Sequence, residues 1–322
     1  MKTRFLRILL TCSLTFPGLA SAETWNLPNA YPDNNFHTEN VRWFADEVDK
    51  ATKGELTFDV HSGASMFKMA ELKRALRTGQ VPIAEFFLSA YGNEDSMYEA
   101  DSVPFLAVGQ AEAAKLYELQ KPMLQKRLDK EGLVLLYSVP WPGNSLFTQI
   151  QVDSLDDFKG MKIRGQTPIV ARLGELLGGV PVNVQYVEVP QAFQTGVVTG
   201  MFTAGSTGVE TQAWEYTDYF YDISAFHPRN AVVVNARAWN SLPDDVRNSV
   251  QEVAIRAESR GWQKAEELHE QARTTLAEHG VQVIDPSPEL QQELRKVGAR
   301  MISEWVERTG PDGAELVKSM GK

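Results

Sequence analysis

The sequence predicts an α/β protein folded as two lobes, and three observations carry that reading. Its 322 residues exceed the roughly 250 at which a single hydrophobic core usually stops growing. Short apolar runs of strand character alternate with helical stripes, the pattern of an α/β fold with mostly parallel pairing. One helical stripe, from Pro243 to about His279, would run ~55 Å at ~1.5 Å per residue, longer than a lobe is wide. Such a helix braces two lobes. With 43% apolar and 23% charged residues the chain is ordinary globular material,.

Residues 1–22 form an address. Lys2, Arg4 and Arg7 precede an apolar stretch from Ile8 to Leu19, and Ala20-Ser21-Ala22 follows, which reads as a secretory signal with its cleavage site. The stretch is too short for a membrane anchor, which needs ~18 apolar residues. Cleavage takes the formal charge from −10 to −13, because three basic residues and no acidic ones leave. The single cysteine, Cys12, leaves with them, so the exported chain has no thiol, disulfide or thiolate metal site. A periplasmic location fits best.

Beyond the signal, Val41, Phe44, Ala45 and Val48 fall at i, i+3, i+4 and i+7 and predict a helix over Thr38 to Thr52, stopped by Gly54,. Leu56, Phe58 and Val60 alternate as a half-buried strand, giving a βαβ opening,. Met69, Leu72 and Leu76 mark a helix ended by Gly79, and Val81 to Phe87 and Gly132 to Val139 read as buried strands,. Met161 to Arg164, Val180 to Val184 and Ala231 to Asn235 are further strands,. For the long helix, Ser241 can cap it, Pro243 suits the first turn, and Asp244 and Asp245 complement its N-terminus,. The alternative is two helices broken at Gly261, although Gly costs only ~1 kcal/mol inside a helix. A strand at Val281 to Ile284 and a helix from Glu289 to Arg308 finish the chain.

Catalytic signals fail. Ser65-Met66-Phe67-Lys68 matches S-x-x-K, which keeps a secreted α/β hydrolase using Ser65 and Lys68 as one alternative function; a binding protein that feeds a sensor is the other. The S-D-N and K-T-G partners of that motif set are missing. His37, His61, His227, His269 and His279 show no ligand spacing, so neither metal nor cofactor is expected. The acidic balance opposes counterion release, so nucleic acid is not a partner. Asp101, Asp153, Asp156 and Asp157 read as turn and cap residues.

Ligand chemistry concentrates at one place. Asp153 to Gly165 reads as a short helix, a turn and a strand that delivers Arg164 at its end. Strand ends facing a crevice are where α/β proteins bind ligands, and a guanidinium there offers a rigid fork to a carboxylate or sulfonate. The stretches DSLDDFKGMKIR, GGVPVNVQYVEVPQAFQTGVVTGMFT and NARAWNSLPDDVRNSVQEVA, with FADEVDKATKGELTFDV and DSVPFLA before them, resemble the solute-binding proteins of tripartite ATP-independent periplasmic (TRAP) transporters. The resemblance covers nearly the whole exported chain in order. It implies a two-lobe, type II Venus-flytrap fold with a lobe-spanning helix, no enzymatic activity, and delivery of a small polar organic solute to the small and large membrane permease subunits. The lobes would comprise 23–141 with 230–269, and 142–229 with 270–322.

The resemblance also assigns residues. Arg164 would pair with the ligand's acid group, Tyr186 would stack on the ligand, and Glu85 matches a position where some members bind hydroxyls or amines. Asn29 and Tyr31 sit in a first loop that contributes in many relatives. Two departures weaken the family's acid clamp: Asn144 stands where many members carry a second arginine, and Thr203 replaces an asparagine. Tyr91, Trp141 and Trp214, with Phe36 and Phe202, are further aromatic candidates. The solute is thus a carboxylate or sulfonate, with a zwitterion or small amine also compatible.

Overall fold

The computed structural model describes residues 22–322. The predicted signal, apart from Ala22, lies outside the described residues. In chain order the strands are β1 (Glu23–Pro28), β2 (Leu56–His61), β3 (Ile83–Phe87), β4 (Leu133–Pro140), β5 (Asn144–Thr148), β6 (Lys162–Arg164), β7 (Val180–Val182), β8 (Gly200–Ala204), β9 (Tyr219–Phe226), β10 (Arg229–Asn235) and β11 (Gln282–Ile284). The helices are α1 (Phe36–Ala51), α2 (Met69–Thr78), α3 (Gly109–Lys130), α4 (Pro168–Leu176), α5 (Val189–Gln194), α6 (Gly205–Glu210), α7 (Ala236–Ser241), α8 (Asp244–Glu278), α9 (Pro288–Thr309) and α10 (Pro311–Met320).

The first lobe holds the β1-β2 pair and a three-stranded sheet of order β3-β10-β4, and the second holds a six-stranded sheet of order β11-β9-β5-β8-β6-β7. The expected βαβ opening is present, since β1 and β2 pair in parallel across α1. Pairing is not mostly parallel, however. β10 runs antiparallel to both β3 and β4, and β5 runs antiparallel to both β8 and β9. The cause is chain crossing: β4 leads straight into β5, and β9 straight into β10, so each lobe receives a strand from the other side. β5, β8 and β10 are buried along their whole length, which erases the alternation that would reveal a strand.

Local signals are obeyed where backbone chemistry dictates them. Gly79 ends α2 in the left-handed region at φ 77°, which glycine adopts without steric penalty. Thr167 caps α4 through its side chain and Pro168 opens it,. Two expectations need correction. Ser241 does not cap the long helix; it ends α7, and Pro243 occupies the cap position. Asp101 is no turn residue but is buried, its Oδ2 accepting from the Arg229 backbone N–H at 3.0 Å. The Arg229 guanidinium lies over the Tyr117 ring at 4.6 Å.

Helix α8 runs 35 residues without a break. Its first half packs on α1 and β4, where the Asn40 amide donates to the Ala257 carbonyl at 3.1 Å, and its second half packs on α6 and β11. It therefore touches both lobes. The last helices return toward the first lobe: Trp305 Nε1 donates to the Ser96 carbonyl at 2.7 Å, and Arg127 of α3 bridges Asp95 and Asp312, each at 2.9 Å.

Gly261 sits inside α8 because the helix approaches β4 closely there. A Cβ added at this position would lie 2.4 Å from Val139 Cγ2 and 2.6 Å from Cγ1. Gly261→Ala gains ~1 kcal/mol of helix propensity but overpacks the contact, at about 1–3 kcal/mol. Chemical denaturation is expected to show a lower midpoint for Gly261→Ala than for wild type; a higher midpoint would contradict the packing account.

Candidate ligand-binding cleft

The C-terminal ends of β6 and β8 and the start of β5 point at the first lobe, and between the lobes lies a cavity of about 390 Å³. Gly160, at φ 73°, turns the chain into β6, whose three residues end on Arg164. Arg164 is buried, with 5% of its surface exposed. Nε donates to the Val184 carbonyl at 3.0 Å, and no hydrogen bond among the described residues engages the two terminal nitrogens. No carboxylate pairs with it among the described residues. Burial lowers its pKa to about 10, against the nearby Tyr186, Tyr216 and Tyr31 hydroxyls. The group stays cationic at neutral pH.

Neutral polar groups surround it. Asn144 and Thr203 are buried and line the same wall, with Gln166 beside them. The Gln166 amide donates to the Phe202 carbonyl at 3.3 Å. Lys68 and Glu188 are the other charged lining residues, and both are exposed at the mouth. The interior thus carries one positive charge.

The facing wall is aromatic. Tyr31 and Trp141 meet edge to face, centroids 5.1 Å apart, and both donate to Asn230 Oδ1, at 3.3 and 3.0 Å. That shared acceptor fixes two rings with one buried amide, an economical way to hold aromatics that have polar tips. Behind them His37 packs on Trp141 at 4.5 Å and approaches Glu85 at 3.3 Å. Burial pushes the His37 pKa down, with Glu85 opposing.

The structure brings Arg164, Tyr186, Asn144, Thr203, Tyr31 and Trp141 together around one cavity. It places the other candidates elsewhere. Glu85 is buried one layer behind Tyr31, facing His37. Asn29 is buried, donates to Thr38 Oγ1 at 3.0 Å, and its carbonyl receives the Ala64 N–H. Tyr91 lies behind the lining residue Met69, donating to its carbonyl. Trp214 is away from the cleft, stacked on His279 at 4.0 Å. Phe36 and Phe202 are buried core rings, Phe36 packing edge-on against Trp141. Of the hydrolase pair, Ser65 is exposed and Lys68 stands at the cavity mouth. Sequence reasoning missed Gln166, two residues past Arg164 and reachable by the same strand-end argument, and Asn230, whose role no local pattern announces.

A profile described as bacterial extracellular solute-binding protein, family 7, matches residues 29–309. The chain belongs to this family. Among solved structures, this family 7 protein is similar to DctP7 of Bordetella pertussis, an extracytoplasmic solute receptor binding pyroglutamic acid: 43% identity over 94% of this chain and 100% of that one, TM-score 0.91. It is also similar to a marine metagenome TRAP solute-binding protein specific for pyroglutamate, at 35% identity over 93% and 99% of the two chains, TM-score 0.90. The C4-dicarboxylate-binding periplasmic protein DctP of Rhodobacter capsulatus is 25% identical, covering 97% of this chain and 92% of its own. The two-lobe fold follows from this kinship, and these relatives are receptors and not enzymes. Among the described residues no helix is long and apolar enough to cross a membrane.

In this family 7 protein the floor of the cavity is the strand crossover. Trp141 N–H donates to the Pro228 carbonyl at 2.8 Å, tying the two crossing strands together. Gly143 permits their approach, since a Cβ there would meet Ser224 Oγ at 2.4 Å and His227 Cε1 at 3.0 Å. His227 is buried, and among the described residues neither ring nitrogen has a hydrogen-bond partner. Burial, with His269 nearby, lowers its pKa from 6.5 to about 4. Between those values the unfolded chain binds a proton that the folded chain refuses, so this share of stability is complete above pH 6.5 and is lost as pH falls to 4, roughly 3 kcal/mol over the span. Denaturation at pH 7.5 and 4.5 is expected to show a smaller acid loss for His227→Gln than for wild type. An unchanged loss would mean that other groups carry the pH dependence.

Proposed function

We propose that this protein is the periplasmic receptor of a TRAP transporter, that it captures a small organic acid with one negative charge, and that pyroglutamate is its first candidate solute. The observation that carries the reading is the buried Arg164, whose terminal nitrogens have no partner among the described residues, in a cavity whose described lining carries no other interior charge. A buried cation without a counter-ion is costly unless a ligand supplies one. A carboxylate does so through two charge-assisted hydrogen bonds. Asn144, where a second arginine would favour a dianion, keeps the interior at a single charge, and Asn144, Thr203 and Gln166 offer neutral donors and acceptors to a lactam ring. Tyr31, Trp141 and Tyr186 would pack the ring faces. Kinship with pyroglutamate-binding receptors at 43% and 35% identity supports the same solute.

The exported chain would begin after Ala22 and release its solute to the membrane permease subunits. In this reading the lobes comprise 23–141 with 230–269 and 142–229 with 270–310, while 311–320, which the sequence suggests for the second lobe, packs on α3 of the first. A ligand of roughly nine non-hydrogen atoms reaches a Kd of ~1 μM with about −8 kcal/mol, within ordinary ligand efficiency.

Calorimetric titration tests the role of the guanidinium. Arg164→Met is expected to abolish measurable pyroglutamate binding while leaving the solute-free protein as stable as wild type or more so, because the desolvation penalty goes with the charge. Arg164→Lys, which keeps the charge and loses the fork, is expected to weaken binding by tenfold or more, on the order of the gap between bidentate and single charge-assisted contacts. Full affinity in Arg164→Met would reject the anion role.

A further inference from the structure

A second set of contacts crosses the cleft outside the acid-binding wall. Asn35, on the first lobe, caps α1: its Oδ1 accepts from the His37 backbone N–H at 3.0 Å. Its amide nitrogen reaches over to the second lobe and donates to Glu210 Oε2, at the end of α6, at 2.9 Å. The same oxygen accepts the Tyr186 hydroxyl. Tyr186 lines the cavity and sets its edge on Tyr31 across the cleft, centroids 6.1 Å apart at 81°. One carboxylate oxygen therefore gathers a donor from each lobe, and one of the two donors is a wall of the ligand site. Asn35 is fully buried, so its N–H would lose a partner if the lobes parted without water taking Glu210's place.

We propose that Asn35 and Glu210 form a latch that holds the lobes closed and keeps Tyr186 over the cavity, so that this pair sets how long the solute stays without touching it. The proposal rests on the receptor reading above. Glu210 is then a positioning residue acting through Tyr186, and Asn35 is its counterpart on the opposite lobe. The pair forms only in the closed arrangement, because its members belong to different lobes. Its loss acts on dissociation more than on association, which precedes closure.

The geometry supplies a variant that separates latching from helix capping. Asn35→Asp keeps the cap, since aspartate caps as well as asparagine, but it replaces the donor that faces Glu210 with a carboxylate. Two like charges then meet across the cleft. Adding Glu210→Gln restores one amide and one carboxylate in reversed order, which re-forms the donor–acceptor pair and removes the repulsion.

Two readouts decide the matter. Because Cys12 is the only cysteine in the sequence and belongs to the predicted signal, spin labels can be placed cleanly at the exposed positions Asp46→Cys in α1 and Gln194→Cys in α5. The inter-label distance, measured without solute, reports lobe closure. Stopped-flow dissociation of pyroglutamate reports residence. Asn35→Asp is expected to lose the short-distance population and to release pyroglutamate at least tenfold faster, with the association rate within threefold of wild type. The double variant is expected to recover both properties. An Asn35→Asp protein with wild-type distances and dissociation, or a double variant that recovers neither, overturns the latch. If wild-type protein does not bind pyroglutamate, the solute assignment fails, and the distances in solute-free protein still decide the latch.

Discussion

A guanidinium enclosed in protein without a carboxylate beside it is the constraint on which this structure turns. Arg164 keeps one anchor, the Val184 carbonyl on its Nε, and its terminal nitrogens, at the cavity wall, have no partner among the described residues. Removing such a charge from water costs several kcal/mol even after relaxation, and among the described residues the compensation is the Val184 carbonyl and the nearby tyrosine hydroxyls. A folded chain retains that arrangement when an anion from outside completes it. The rest of the architecture serves to present this group: a short strand ending on it, neutral amides and hydroxyls around it, and a facing first lobe that sets an aromatic wall opposite it.

Closure depends on elements that cross between the lobes. Two strand crossovers meet at the Trp141 and Pro228 contact, and Gly143 lets them pass at a separation that no side chain would tolerate. Helix α8 runs along both lobes and is pressed against β4 at Gly261. The cleft therefore opens and shuts around a narrow, well-packed floor, and contacts at the rim, such as Asn35 with Glu210, can bias the balance with little mechanical resistance elsewhere.

Much of this was readable from residues alone, for physical reasons that differ from element to element. α1, α2 and α8 announce themselves because amphipathic helices write their buried face at fixed spacing, and Gly79 marks an end because few other residues accept its backbone angles,. Arg164 was found because a strand end in an α/β protein has a known relation to ligands. β5 and β8 are buried on both faces and begin with Asn144 and Gly200, so they carry no period, and without them the antiparallel centre of the second sheet is invisible. Glu85 and Trp214 show the opposite failure. Their residue types suit a ligand, but tertiary packing turns Glu85 toward His37 and Trp214 toward His279. Asn230 escapes because its work, holding Tyr31 and Trp141 on one oxygen, exists only after the fold has joined residues 199 positions apart.

The central claim is that one negative charge on the solute completes Arg164. The most direct measurement is a paired calorimetric titration of wild-type protein with pyroglutamate and with its uncharged carboxamide, which has the same ring and nearly the same shape. The account predicts that the acid binds and that the carboxamide binds at least a hundredfold more weakly, on the order of what losing a charge-assisted pair in a closed site removes. Equal affinity for the two would contradict it, because the buried cation would then be recognising nothing about charge.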